Sequence, residues 1–221
     1  MKKAVIFDVD GTLLNTEKIY IEAWLAAGKY MNIPITYEAV KRTRAIDRVG
    51  SIKIFRELCG DDFPYDEVYV HRRRIAEEII EERPAEAIRM EHTLSTLNWM
   101  KERGIRMAAA STTEHSITVS HLKKTEIADY MEVVLGGGKV PPGRGKPHPD
   151  IFLLAAEHLG VKPEECVVVG DTPADVNGGY AAGMTVILIP DQVPANEETT
   201  AKSWKILDNI GQLPAALEEL F

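Results

Sequence analysis

The sequence has few cysteines and no long apolar run. Its 221 residues include only two cysteines, Cys59 and Cys166, which lie far apart and form no CxxC pair. This spacing excludes a disulfide framework and a zinc knuckle. No run approaches the ~20 apolar residues of a membrane span, and Asp8 interrupts the apolar stretch that follows the N-terminal MKK. We therefore expect a cytoplasmic protein with no membrane partner.

Basic residues are fewer than acidic residues. The chain has 26 Lys and Arg residues against 34 Asp and Glu residues, which gives a formal net charge of −8. Such a surface repels a phosphate backbone, so nucleic acid is not expected as a partner, although a small anion can still bind at a local cationic site. Hydrophobic residues make up 45% of the chain, which is enough for the core of one large or two small domains.

The apolar pattern changes twice along the chain. A short apolar strand at residues 4–7 is followed by residues 17–83, which have almost wholly helical periodicity. From about residue 88, helices alternate with the apolar strands IRMAAAS, YMEVVLG, ECVVVGD and TVILIP. This alternation predicts a parallel sheet with helices on both faces.

The first strand has to join that sheet, because a lone strand cannot bury itself. The helical block is then an insertion after the first strand. We predict an α/β protein with a three-layer, Rossmann-like core of parallel sheet at residues 1–15 and 85–221 and an inserted helical cap at residues 16–84.

Polar residues follow several of the predicted strands. Asp8 and Asp10 come directly after the first strand, Ser111 ends IRMAAAS and Asp171 ends ECVVVGD. Lys146 lies in the Gly/Pro-rich loop after the third strand. Ligands of open α/β sheets bind outside the carboxyl ends of the strands, so we expect these side chains to meet at one edge.

The residue types at this edge suit phosphoryl chemistry. Asp8, Asp171 and a backbone carbonyl offer the oxygen-only ligands that Mg²⁺ prefers. Ser111 and the amides that follow it, beginning at Thr112, can donate to phosphate oxygens, and Lys146 supplies a positive charge.

Other classes fit less well. Asp-Gly alone is common in turns, but a plain turn does not explain why polar residues also follow the other strands. A P-loop is excluded because Pro147 follows GRGK where Ser or Thr is required, and no GxSxG motif is present. A response-regulator receiver is about half this length and carries its phosphoacceptor on a middle strand. A non-catalytic binding protein of the same fold stays an alternative, although it has little need for Asp8, Asp10, Lys146 and Asp171 together.

Four motifs occur in order: DVDGT at 8–12, Ser111, Lys146 in GKPHPD, and GDTPADVNGGYAAGM at 170–184. With them the sequence resembles the haloacid dehalogenase superfamily of aspartate-nucleophile phosphohydrolases over essentially its whole length. The resemblance is strongest to helical-cap members such as β-phosphoglucomutase and phosphoglycolate phosphatase. It implies a sheet with the strand order 5-4-1-2-3.

The resemblance also implies roles for the residues. Asp8 would be the nucleophile and Asp10 the general acid and base, with Mg²⁺ held by Asp8, Asp10 and Asp171. Phosphate would be bound by Ser111, Thr112 and Lys146. Thr12 and Asp175 would lie behind the metal ligands, and for Asp175 the capping of a helix is an equally good interpretation.

The resemblance implies a Mg²⁺-dependent phosphatase acting on a small phosphorylated metabolite, such as a sugar phosphate or a phosphoglycolate-like monoester. The alternative is a β-phosphoglucomutase-like phosphomutase. Two cap residues bear on this choice. Tyr20 stands where that mutase has a histidine, and Arg48 is retained although Ala45, Ile46 and Asp47 replace the rest of its Gly-x-Ser-Arg stretch. Tyr20 and Arg48 are candidate substrate contacts, and Arg48 is equally well interpreted as a solvated helix charge.

Overall fold

A computed structural model describes residues 1–43 and 48–221. Two compact units are present: Met1–Leu14 with Ala85–Phe221, and Asn15–Pro84. Ala45, Ile46 and Asp47 of the stretch compared above lie outside the described residues.

The larger unit contains a parallel sheet of six strands within the described residues. The strands are β1 (Ala4–Phe7), β2 (Arg106–Glu114), β3 (Val133–Gly137), β4 (Cys166–Gly170), β5 (Thr185–Leu188) and β6 (Lys205–Ile206). Their order is β3-β2-β1-β4-β5-β6. The predicted α/β class is therefore confirmed. The predicted order of the first five strands is present, and β6 was not predicted, because its two residues carry no apolar run.

The smaller unit is helical in its described residues. Its helices are α1 (Thr16–Met31), α2 (Tyr37–Arg42), α3 (Arg48–Cys59) and α4 (Tyr65–Glu82). It has an aromatic core of its own: the ring centroids of Trp24 and Phe55 are 4.6 Å apart, and those of Phe55 and Phe63 are 4.7 Å apart. Such pairs add to the stabilisation that burial of the rings provides.

Helices of the larger unit cover both faces of its sheet. They are α5 (Ala85–Ile88), α6 (Thr93–Glu102), α7 (His115–Lys124), α8 (Asp150–Leu159), α9 (Pro173–Ala181), α10 (Glu197–Lys202) and α11 (Leu213–Leu217). Ala4 and Ile6 of β1 pack in a cluster with Phe152 of α8. Val5 and Phe7 point to the opposite face, since side chains alternate along a strand, and they are also fully buried. The sheet is thus the middle of three layers.

No helix within the described ranges is long and apolar enough to cross a membrane.

Substitution of Phe152 tests how much this core contributes to the free energy of unfolding. Its side chain is fully buried, and its neighbour Leu153 on the same helix is 39% exposed. We expect Phe152→Ala to lower the free energy of unfolding by about 3–5 kcal/mol, because the large ring leaves a cavity. Leu153→Ala, measured by the same denaturant titration, should cost well under half of that. Equal losses for the two variants would contradict the assigned core.

Candidate active site

The loop after β1 turns back tightly and brings two aspartates to the edge of the sheet. The amides of Leu13 and Leu14 donate to the carbonyl of Val9, and the amide of Gly11 donates to the carbonyl of Leu14 at 2.8 Å. Gly11 has φ +89°, and a Cβ at this position would overlap the carboxylate of Asp171. Only glycine allows the loop to approach the end of β4 this closely.

Lys146 lies between two of the carboxylates. Its Nζ is 2.5 Å from Oδ1 of Asp8 and 2.6 Å from Oδ1 of Asp175. The lysine side chain is only 2% exposed. Its ammonium also lies 5.1 Å from the ring centroid of Phe152. Buried charges are tolerated when they are paired, and this lysine is paired twice.

Three aspartates form one buried carboxylate cluster. One oxygen each of Asp8, Asp171 and Asp175 lies within 4.8 Å of the others. Thr12 donates its hydroxyl to Oδ1 of Asp171 at 3.4 Å. Three carboxylates next to a single ammonium leave an excess of negative charge in a site from which water is largely excluded. An oxygen-only set of this kind suits a hard divalent cation, so the chemistry of the donors fits Mg²⁺.

Asp175 makes both of the contacts considered for it. Its Oδ1 accepts from Lys146, while its Oδ2 accepts from the amide of Thr172 at 3.1 Å. The hydroxyl of Thr172 in turn accepts from the Asp175 amide, which completes a capping box at the start of α9. One carboxylate thus fixes both the helix and the lysine.

The Asp10 carboxylate faces away from the cluster, toward β2. Its Oδ2 accepts hydrogen bonds from Oγ1 of Thr113 at 2.8 Å and from Oγ of Ser111 at 3.3 Å. The side chains of Asp8 and Asp10 therefore lie in different surroundings, although they are two residues apart in the sequence.

The sequence predicted that the strand carrying Ser111 ends at that residue. In the structure this strand continues to Glu114. The pairing with β3 shifts between Ala110 and Glu114, so residues 111–113 form a bulge. Residues two apart in an extended segment share a face, and the hydroxyls of Ser111 and Thr113 both reach Asp10. Thr113 was missed because the strand was expected to end at Ser111, and the only signal in the sequence is a run of polar residues.

The predicted phosphate contacts share one cavity. Ser111, Thr112 and Lys146 line a cavity of about 340 Å³ together with the Gly/Pro-rich loop before the lysine. Thr112 is exposed, whereas Ser111 is buried. The cavity is large enough to admit an anion beside the ammonium.

Burial and repulsion shift the proton affinities of the cluster. Burial raises the pKa of Asp8 to about 8, against the opposing charge of Lys146. Burial also raises the pKa of Asp171 to about 9, and the charges of Asp8 and Asp175 add to this effect. Burial works to lower the pKa of Lys146, but the charges and hydrogen bonds of Asp175 and Asp8 together raise it above its ordinary value. Without a cation, bound protons therefore neutralise part of the negative charge of the carboxylate cluster.

The two candidate cap residues belong to the smaller unit. Tyr20 lies on α1, and the guanidinium of Arg72 lies 3.9 Å from the centroid of its ring. Arg48 is paired with Asp66, and its side chain is 64% exposed. The contact with Arg72 was not predicted. Arg72 belongs to the charged run HRRR at residues 71–74, and such a run on a helix is usually a solvated face.

Carboxylates, a buried lysine and hydroxyl donors at the carboxyl edge of a parallel sheet are an arrangement suited to phosphoryl transfer. A profile of the haloacid dehalogenase-like hydrolases matches residues 2–183. The chain belongs to this family, which confirms the resemblance drawn from the motifs.

Individual relatives agree with this assignment. The chain is 29% identical over 186 residues to the phosphorylated carbohydrates phosphatase of Thermotoga maritima, covering 82% of each chain. It is 25% identical over 189 residues to β-phosphoglucomutase of Bacillus subtilis, covering 84% of this chain and 82% of that one. It also matches a solved family hydrolase from Deinococcus radiodurans with bound phosphate and sodium, at TM-score 0.79 and 26% identity over 99% of this chain and 96% of that chain. The chain is thus an enzyme of the phosphoric monoester hydrolase class.

The raised pKa values of Asp8 and Asp171 predict how stability depends on pH without metal. Between the ordinary value of 3.8 and the values of about 8 and about 9, the folded protein binds more protons at these groups than the unfolded chain. Stability should therefore fall as pH rises through this window. Mg²⁺ competes with these protons, so the rise in Tm that it produces should grow with pH.

Thermal unfolding with EDTA or with Mg²⁺, from about pH 5 to about pH 9, measures both effects. Asp171→Asn is the control, since it removes one of the titrating carboxylates and should flatten the pH dependence. A Tm increment from Mg²⁺ that is constant across this range would contradict the prediction.

Proposed function

We propose that the protein is a Mg²⁺-dependent phosphatase that hydrolyses a small phosphorylated metabolite through an aspartyl phosphate on Asp8. The observation that carries this proposal is the meeting of Asp8, Lys146 and Asp171 beside Asp10 and Ser111 at the carboxyl ends of β1, β2 and β4. The phosphate and sodium bound by the relative from Deinococcus radiodurans support an anion and a cation in such a site.

Asp8 begins the reaction. One carboxylate oxygen attacks the phosphorus in line and forms an Asp–O–P bond as the bond to the leaving oxygen breaks. Lys146, whose Nζ contacts Oδ1 of Asp8, holds the nucleophile and offers positive charge to the phosphoryl oxygens. Ser111 and the amide of Thr112 donate to the same oxygens.

Asp10 moves the proton. It gives a proton to the leaving oxygen in the first step, and in the second step it takes one from the water that attacks the phosphorus and releases Asp8. The hydroxyls of Thr113 and Ser111 fix the direction of its carboxylate. Because that carboxylate is held by these hydroxyls, we assign the contribution of Asp10 to the metal site to its backbone carbonyl.

Mg²⁺ bound by Asp8, Asp171 and this carbonyl would neutralise negative charge on the carboxylates and the phosphoryl group. Asp175 and Thr12 support the arrangement, since Asp175 contacts Lys146 and Thr12 contacts Asp171.

Residues 16–84 are proposed as a cap domain inserted in the sequence of the core, which is formed by residues 1–15 and 85–221. Tyr20 and Arg48 are its candidate substrate contacts. The similarity to the phosphorylated carbohydrates phosphatase of Thermotoga maritima supports a sugar phosphate as substrate. We propose that the substrate is a cytoplasmic metabolite of this class.

The similarity to β-phosphoglucomutase supports phosphomutase activity as a second candidate. The replacements at Tyr20 and at Ala45 to Asp47 favour the phosphatase. The two activities differ in product: a phosphatase releases inorganic phosphate from a panel of sugar phosphates, and a mutase returns an isomeric ester.

Asp8→Asn tests the nucleophile. An amide cannot form the acyl phosphate, so we expect phosphate release to fall below detection over the whole panel while the protein still folds. The matched control is Asp129→Asn, which makes the same change at an exposed position and should leave turnover unaffected. EDTA should abolish wild-type turnover, and added Mg²⁺ should restore it. Undiminished turnover by Asp8→Asn would remove the proposal.

Thr113 tests how Asp10 is positioned. Thr113→Val keeps the shape of the side chain but deletes the donor that lies 2.8 Å from Asp10 Oδ2. We expect kcat to fall by about 10- to 100-fold, because a misdirected acid transfers its proton poorly. Thr113→Ser retains the hydroxyl and should recover most of the activity. If Val and Ser variants have the same kcat, the hydroxyl has no part in positioning Asp10.

A further inference from the structure

Asp191, just beyond β5, has a carboxylate oxygen without a partner. Oδ1 accepts a hydrogen bond from Nε2 of Gln192 at 3.0 Å. Oδ2 is shielded from solvent, and no donor among the described residues reaches it. A shielded carboxylate oxygen without a donor is costly, and such groups in native proteins usually have a water or ion as partner.

The fold brings Asp191 beside the carboxylate cluster. The amide of Ile189 donates to the carbonyl of Gly170 at 2.9 Å, so the chain leaves β5 next to the residue that precedes Asp171. The charge of Asp191 is among those that act on Asp171.

A small cavity lies between Asp191 and the loop that follows β1. Asp191 lines it together with Gly11 and Thr12, and its volume is about 150 Å³. Thr12 contacts Asp171 directly, and Gly11 is packed so closely that a Cβ would meet the Asp171 carboxylate. A cavity of this size has room for several waters, since each occupies about 30 Å³.

We propose that Asp191 is a positioning residue for the Mg²⁺ site, whose Oδ2 accepts a hydrogen bond from a water of the cation's hydration shell. This inference rests on the proposed function, because it needs a cation at Asp8 and Asp171. Mg²⁺ keeps several of its waters when it binds to one or two carboxylates, so carboxylates that accept from those waters add to its affinity.

Two other acidic residues line the same cavity but differ from Asp191. Oδ2 of Asp208 accepts from Nε2 of Gln212 at 3.2 Å, and the residue is exposed. The Glu91 side chain is 89% exposed and lies 3.5 Å from His92. Of the described acidic residues around this cavity, Asp191 is the one with a shielded oxygen that has no donor.

The experiment is a substrate-free titration of Mg²⁺ into the metal-free full-length protein, followed by calorimetry. Asp191→Asn keeps the size of the side chain and removes its charge. We expect the Kd for Mg²⁺ to rise about 10- to 100-fold. Asp208→Asn is the matched control, because it removes the same charge from the same cavity, and its Kd should stay within about twofold of wild type.

Thermal unfolding separates positioning from a structural role. Asp191→Asn removes a negative charge from beside Asp171, so the Tm of the metal-free variant should be equal to or above that of wild type, and Mg²⁺ should raise it less. The inference is overturned if the Kd of Asp191→Asn is unchanged, if both variants weaken binding equally, or if the metal-free Tm drops with the affinity. If wild type binds no Mg²⁺, it is the proposed function that fails.

Discussion

The structure of the site depends on one ammonium group shared by two buried carboxylates. Lys146 contacts Asp8 and Asp175, and the third carboxylate, Asp171, has no ammonium within its own contacts among the described residues. Several features of the fold follow from this constraint. Gly11 and Gly170 lack side chains because a Cβ would overlap Asp171 in one case and Asp175 in the other. Since Asp175 also caps α9, the position of the lysine is tied to the position of a helix.

The excess of carboxylates raises the pKa of Asp8 and Asp171 in the absence of a cation, and the same excess suits the binding of a divalent cation. Charged groups that repel in the folded state raise their pKa or recruit a counterion. Thr113 and Ser111 hold the carboxylate of Asp10 on the side of β2, from where its charge adds to those that raise the pKa of Asp8. Two aspartates separated by one residue thus acquire different surroundings, which is what a nucleophile and an acid need if both are to work at one pH.

The parts of this arrangement that the sequence predicted are those encoded locally. β1 and β4 are continuous apolar runs, and each is followed directly by an aspartate. The sequence therefore predicted both strands together with Asp8 and Asp171. β6 is two residues long and depends on its pairing with β5. The contact of Thr113 with Asp10 forms between the ends of two strands, and the surroundings of Asp191 depend on a cavity lined by separate segments of the chain. These features arise from tertiary pairing, for which a sequence pattern carries no periodic signal.

The strand order is consistent with the proposed nucleophile being next to β1. In the order β2-β1-β4, β1 has the proposed phosphate donors of β2 on one side and Asp171 of β4 on the other. Neighbouring strands lie about 4.8 Å apart, so groups at the ends of β2 and β4 are roughly 10 Å from each other but each is within reach of Asp8. A phosphoryl group bonded to Asp8 can therefore be held by hydroxyl and amide donors while a cation on Asp171 neutralises it. Moving the nucleophile to β2 or β4 would place it two strands from one of these partners, and no side chain rearrangement at the edge would restore both contacts.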